Sequence, residues 1–225
     1  MIALRVPKIY WNDGEAVRLL VEYFTRRRAK GDLYYSGAYF ERLGGGGDSE
    51  ADANRFTCED LVAITMLSVE VPGHGAVDLL TDPDGHWARL LSALPRDARL
   101  EDPDNAPLVA EDGPAWQLWE RLCDVKKYPN KPDGVGAVVA GKLLARKRPG
   151  LIPVYDSRVK SLLERPKADN TFWAALCQAL QADEMALYRQ LLRLREKSGI
   201  GDDIAVVRVF DVIAWMYEGE RQSAA

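Results

Sequence analysis

Apolar residues in this chain recur three and four positions apart in a succession of short segments, each closed by glycine or proline. Val17, Leu20, Val21 and Phe24 form one stripe, which Gly31 ends. Leu61, Ile64, Leu67, Ser68 and Val71 form a second, ended by Pro72-Gly73. Val206, Val207, Phe210, Ile213, Ala214 and Tyr217 form the last and most apolar. This is the period of a helix with one buried face, and almost no stretch alternates as a half-buried strand would. The pattern predicts helices over 12–28, 57–71, 74–81, 86–94, 116–127, 136–146, 157–164, 171–181, 183–197 and 203–217. Start signals agree: Asn12 or Asp13 can cap the first, Thr57-Cys58-Glu59-Asp60 resembles a capping box, and Asp156 heads the helix at 157. The fold class is all-α.

Between these segments lie three connections. Residues 33–43, with Tyr34, Tyr35, Tyr39 and Phe40, read as a short strand pair or a packed irregular segment. Gly44 to Gly47 reads as a flexible linker; no Gly-Lys-Ser/Thr follows, so it is no phosphate loop. Residues 95–113, rich in Pro and Asp, read as a surface connection.

With 225 residues, 47% of them apolar, the chain can build one generous core without staples. Cys58, Cys123 and Cys177 are too scattered for a disulfide framework or a metal cluster and are expected to be buried thiols. No run reaches the roughly 18 apolar residues of a membrane span, and Met1 to Lys8 lack a signal-peptide core, so no membrane and a cytoplasmic location are expected. Net charge is −4, but it is unevenly spread. Residues 97–124 hold eight acids and two bases, whereas 126–167 hold eleven bases against three acids. Such a local excess of cation is what a phosphate footprint looks like, and also what a solvated helix face looks like.

Gly134-Val135-Gly136 lies between two amphipathic segments. A tight corner there asks for dihedrals that glycine takes cheaply, and the helix that follows opens with unpaired N–H groups suited to a phosphate. Lys131, Lys142, Arg146 and Arg158 lie within reach of such a corner in the sequence, with Lys147 and Arg148 beside them.

The stretch Pro132-Asp133-Gly134-Val135-Gly136, then Ala140 and Leu143-Leu144, then Leu151-Ile152-Pro153-Val154-Tyr155-Asp156-Ser157-Arg158-Val159 resembles the hairpin and aspartate loop of helix-hairpin-helix DNA glycosylases, the superfamily of endonuclease III and the adenine glycosylases. The spacing from Gly136 to Asp156 is similar to theirs without a gap. Asp60 to Ser68 is similar to the helix these enzymes carry before their duplex-probing loop, so the resemblance covers about 56–165. It implies two helical lobes around a central cleft, with residues 1–55 as an extension packed on a domain of 56–217 and a disordered tail at 218–225. It implies DNA as partner, phosphate contacts from Lys131, Gly134, Val135, Gly136, Lys142, Arg146 and Arg158, and Asp156 as the carboxylate that stabilises positive charge on the sugar while a base departs. Asp is equally an ordinary N-cap, and the two roles are compatible.

This chain departs from the family pattern at several points. Val138 occupies the place of the Schiff-base lysine of bifunctional enzymes, so lysine-dependent lyase chemistry is not expected, and Lys142 one turn later does not inherit the role. Asp133 replaces the usual proline, and Val69-Glu70-Val71 stands where a probing Gln is common. The four-cysteine loop is absent, so no iron–sulfur cofactor and no metal are implied; the family's hairpin carbonyls often hold a monovalent cation, which the resemblance carries over as an expectation. Two functional readings stay open at this point: a monofunctional DNA-repair glycosylase, or the same fold as a non-catalytic DNA- or protein-binding module in regulation or genome defence. A fortuitous match on an all-α protein is the third. Tyr34, Tyr35, Tyr39 and Phe40 either stack on a flipped base or pack the extension. Trp11, Trp116, Trp119, Trp173 and Trp215 read as core, and His74 and His86 as inert.

Overall fold

The computed structural model describes residues 3–123, 135–166 and 169–224. Among them the regular structure is helical, and the one β contact is an isolated antiparallel bridge between Arg27 and Leu33. The helices are α1 (Asp13–Thr25), α2 (Cys58–Thr65), α3 (Gly73–Thr81), α4 (His86–Ser92), α5 (Pro114–Leu122), α6 (Ala137–Lys147), α7 (Ser157–Leu162), α8 (Phe172–Ser198) and α9 (Val206–Ala224). Short 3-10 turns occupy Lys8–Trp11, Ser36–Tyr39, Leu43–Gly45 and Pro103–Val109.

Local chemistry accounts for the starts. Asn12 caps α1 by accepting from Glu15 N, and Thr57 and Asp60 close a reciprocal capping box on α2. α2 stops at Thr65, short of the predicted Val71. Met66 and Leu67 tighten to three-residue bonds, and Ser68 turns left-handed at φ 62°. α8 is interrupted at 182–185, where Asp183, Glu184 and Met185 take positive φ, so the two predicted segments form one long element with a break. α9 runs on through 218–224, where a disordered tail was expected. Glu218 is buried there and accepts from the Ser161 hydroxyl at 2.7 Å.

A continuous apolar core extends from Ile9 to Met216. α1 packs on α8 and α9, α7 on α9, and α2 and α5 on α6. Tyr10 ties the N-terminus to this core: its ring stacks on Phe210 at 4.6 Å, and its hydroxyl donates to the Phe210 carbonyl at 2.9 Å. Residues 1–55 therefore supply part of the common core. Trp11, expected inside, is half exposed; Cys58 is exposed and Cys123 intermediate, and of the three only Cys177 is buried.

The basic run on α6 is the largest correction. Arg146, Lys147 and Arg148 are 1%, 0% and 1% exposed. Arg146 Nε and Lys147 Nζ hold the two oxygens of buried Asp60 at 3.1 and 3.0 Å. Arg146 also donates to the carbonyls of Phe40, Glu41 and Leu43. Arg148 donates to Leu94 O, Ala53 O and Leu91 O. These cations therefore bind the 40–54 segment and the end of α4 to α6, and Arg146 has no free donor face for a phosphate. The glycine-rich loop belongs to the same device. At Gly47 a Cβ would collide with Arg146 O and Asp60 Oδ1, so the segment can approach α6 only because that position is glycine.

Candidate functional site

α7 begins where Asp156, in extended backbone, accepts the N–H groups of Arg158 and Val159 on Oδ1 at 3.0 and 3.1 Å. Its Oδ2 has no partner among the described residues. Asp156 lines a cavity of about 480 Å³, within the roughly 300–1,000 Å³ of small-ligand sites.

Four aromatic side chains, Tyr23, Tyr34, Tyr35 and Trp215, also line this cavity. Tyr23 of α1 stacks on Tyr35 at 5.3 Å, Tyr34 meets Tyr35 edge-on at 4.9 Å, and Trp215 of α9 meets Tyr35 edge-on at 5.9 Å. Gly37 lets the chain pass under Tyr23; a Cβ there would collide with the Tyr23 hydroxyl. Of the four aromatic residues at 34–40 singled out in the sequence, Tyr34 and Tyr35 face the cavity. Phe40 is buried core, and Tyr39 is exposed away from the cavity lining. Met66, Leu67 and Ser68, at the end of α2, form part of the rim.

The floor is polar. Lys142 is buried and donates to the Leu67 carbonyl at 2.7 Å. Burial lowers its pKa, and the nearby charge of Asp156 acts the other way. Arg208 places Nη1 2.5 Å from Asp211 Oδ1 and Nε 2.6 Å from Glu41 Oε1; the second contact is too oblique for a hydrogen bond. The Val154 N–H donates to the other Asp211 oxygen at 3.0 Å. Burial pushes the Asp211 carboxyl up to about 7 against the pull of Arg208, and burial raises Glu41 as well. Burial on its own would lower Arg208, but the two acids beside it carry it well above the ordinary arginine value.

The remaining sequence-singled residues are dispersed. Arg158 lies at the cavity with its guanidinium 4.3 Å over the Trp215 ring. Val138, half exposed, also lines it, while Val135 is buried. Gly136 is the exposed N-cap of α6 at φ −78°, with open space where a Cβ would stand, so nothing there requires glycine. This corrects the expectation of a glycine-only backbone at that position. Lys131, Gly134 and the hairpin's expected cation fall outside the described residues. Among the described residues no group of three or more His, Cys, Asp and Glu could hold a metal ion.

Trp215, Asp211 and Arg208 were not identified as site residues from the sequence. A signal was present: positions 208, 211 and 215 share one helical face, and two charges on the inward stripe of the most apolar helix mark a polar interior.

The sequence matches the profile of a family of unknown function, DUF6308, over residues 16–218. The chain belongs to DUF6308. The matched span contains every cavity residue from Tyr23 to Trp215, so the whole pocket lies inside the DUF6308 region. No curated protein and no solved structure matches the chain. Among its described residues, no DUF6308 helix here is long and apolar enough to cross a membrane.

Proposed function

We propose that this protein binds DNA and hydrolyses an N-glycosidic bond in it, in the manner of a monofunctional helix-hairpin-helix glycosylase, with the extruded base entering the Asp156 cavity. One observation carries the reading. A carboxylate fixed through one oxygen at the head of α7 keeps its other oxygen unpartnered beside a base-sized, aromatic-walled cavity. In such a reaction the bond from the sugar carbon to the base nitrogen breaks with its electron pair leaving on the base. The sugar carbon becomes cationic, a water oxygen adds to it and gives up a proton, and the departed base takes up a proton from solvent. A carboxylate preorganised beside that carbon stabilises the charge as it develops. An aromatic lining of Tyr34, Tyr35 and Trp215 suits a planar base, since every nucleobase has a π-face. Val138 at the lysine position, and the engagement of Lys142 with Leu67 O, favour hydrolysis without lyase chemistry.

The N-capping bonds of Asp156 also suit a second reading, a DNA- or protein-binding module with no chemistry. Incubation with duplexes bearing damaged or mismatched bases, followed by alkaline cleavage of abasic sites, separates the two. The expected result is strand cleavage after alkali with the wild type and a loss of at least ~100-fold in Asp156→Asn with binding retained, the order of effect of removing an electrostatic stabiliser. Binding without base release on every duplex would leave the module.

A further inference from the structure

Lys142, Arg146, Lys147 and Arg148 are used inside the protein, so among the described residues other cations have to meet the phosphates if a base reaches the cavity. We propose that the hairpin at residues 26–34 is the clamp that holds the DNA backbone beside the Asp156 cavity; this rests on the reading that a DNA base enters that cavity. The hairpin leaves the end of α1 and folds back on itself. Arg27 bridges Leu33, Tyr34 N donates to Arg26 O at 2.7 Å, and Arg28 N donates to Asp32 O at 2.8 Å. Gly31 makes the bend at φ +94°.

Within these nine residues stand Arg26, Arg27, Arg28 and Lys30 against a single acid, Asp32. The Arg26 guanidinium lies 4.2 Å over the Tyr34 ring and that of Arg28 5.8 Å from it, and Tyr34 is itself a wall of the cavity. Arg26 and Arg28 are thus held against a ring that lines the cavity, and Arg27 and Lys30 stand on the same short hairpin. Arg26 is paired with Glu22 at 2.8 Å, and Arg28 lies a looser 3.8 Å from Asp32. Arg27 donates only to the Gly31 carbonyl, at 2.6 Å, and Lys30 has no acidic partner among the described residues. Both are exposed. Arg158, stacked on Trp215, places another guanidinium at the same cavity. A strand whose base enters the cavity carries a phosphate on each side of that nucleotide, so cations around the mouth are where neutralisation is required.

The test uses the full chain and a fluorescein-labelled 20-base-pair duplex carrying one abasic analogue, with affinity followed by anisotropy across a salt series. Arg27→Ala with Lys30→Ala should weaken binding at low salt by ~10-fold or more and reduce the slope of log affinity against log salt by about two, one for each phosphate left without its cation. Arg27→Lys with Lys30→Arg should keep both. An unchanged slope in the alanine variant overturns the clamp, even if the wild type releases a base. A reduced slope in a protein that releases no base from any duplex supports the clamp and removes the catalytic reading. A wild type that binds no duplex at low salt overturns both.

Discussion

Beneath the Asp156 cavity one guanidinium, Arg208, faces two buried carboxylates, Glu41 and Asp211. A single cation neutralises one of them, and the other keeps a charge in a medium that solvates it poorly. The group therefore holds a proton that its unfolded counterpart releases near 4. With Asp211 pushed up to about 7, the folded chain binds more protons than the unfolded one between about pH 4 and 7. Stability contributed by this group should fall as pH rises through that window, by at most about 1.4 kcal/mol per pH unit for one proton. Asp13 and Asp169, lowered to about 2 through Lys197 and Arg165, work in the opposite sense and only below pH 4. Urea midpoints should thus decline from pH 5 to 7.5 in the wild type and decline less in Asp211→Asn; a flat wild-type profile would contradict the assignment. The sequence marks Asp156 readily, because an acid at a helix start is a local pattern. Asp211 stands one turn from Arg208 and shares its helical face, but Glu41 reaches Arg208 across most of the chain, and no local pattern reports that.

α6 shows how a sequence pattern can carry the wrong inference. Its Lys142, Arg146, Lys147 and Arg148 form a basic cluster that resembles a phosphate surface. Apart from the adjoining Lys147 carbonyl, their acceptors are the Asp60 and Asn54 side chains and backbone carbonyls between 40 and 94, all at least forty residues upstream. Charge runs are read as exposed because unpaired cations are costly inside; these are inside because a folded partner was prepared for each. The α2–α6 contact depends on Asp60, which both closes a capping box and receives two cations. Asp60→Ala should cost about 3–5 kcal/mol, the range for removing one partner of a buried ion pair, read as the loss of unfolding free energy in urea. A change under about 1 kcal/mol would show that the cluster is not the tie between these elements. Helix existence, by contrast, was read from the sequence correctly nearly throughout, because the apolar period and the Gly and Pro breakers are local. α2 ends at Thr65, and just beyond it the Leu67 carbonyl accepts from Lys142, a tertiary contact that no local pattern reports.

The cavity is assembled from distant parts of the chain: the 23–37 region, the end of α2, α6 with the start of α7, and α9. The sequence resemblance reached Asp156 and the helices beside it. It left out residues 1–55, which supply Tyr23, Tyr34 and Tyr35, and helical spacing placed Trp215 in the core. A pocket built by convergence of segments separated by up to two hundred positions has no sequence signature of its own; only the isolated aromatics and the charges on α9 hinted at it. The role proposed for Asp156 at this convergence is to favour a positively charged sugar. The direct measurement compares affinity for two duplexes that differ at one nucleotide, a neutral tetrahydrofuran and a cationic pyrrolidine of the same shape. Binding energy that appears only with the charge is the mark of a site fitted to the transition state. The wild type should prefer the pyrrolidine by ~10-fold or more, and Asp156→Asn should abolish the preference while holding the neutral duplex as before. Equal affinity of the wild type for both duplexes would contradict the role given to Asp156.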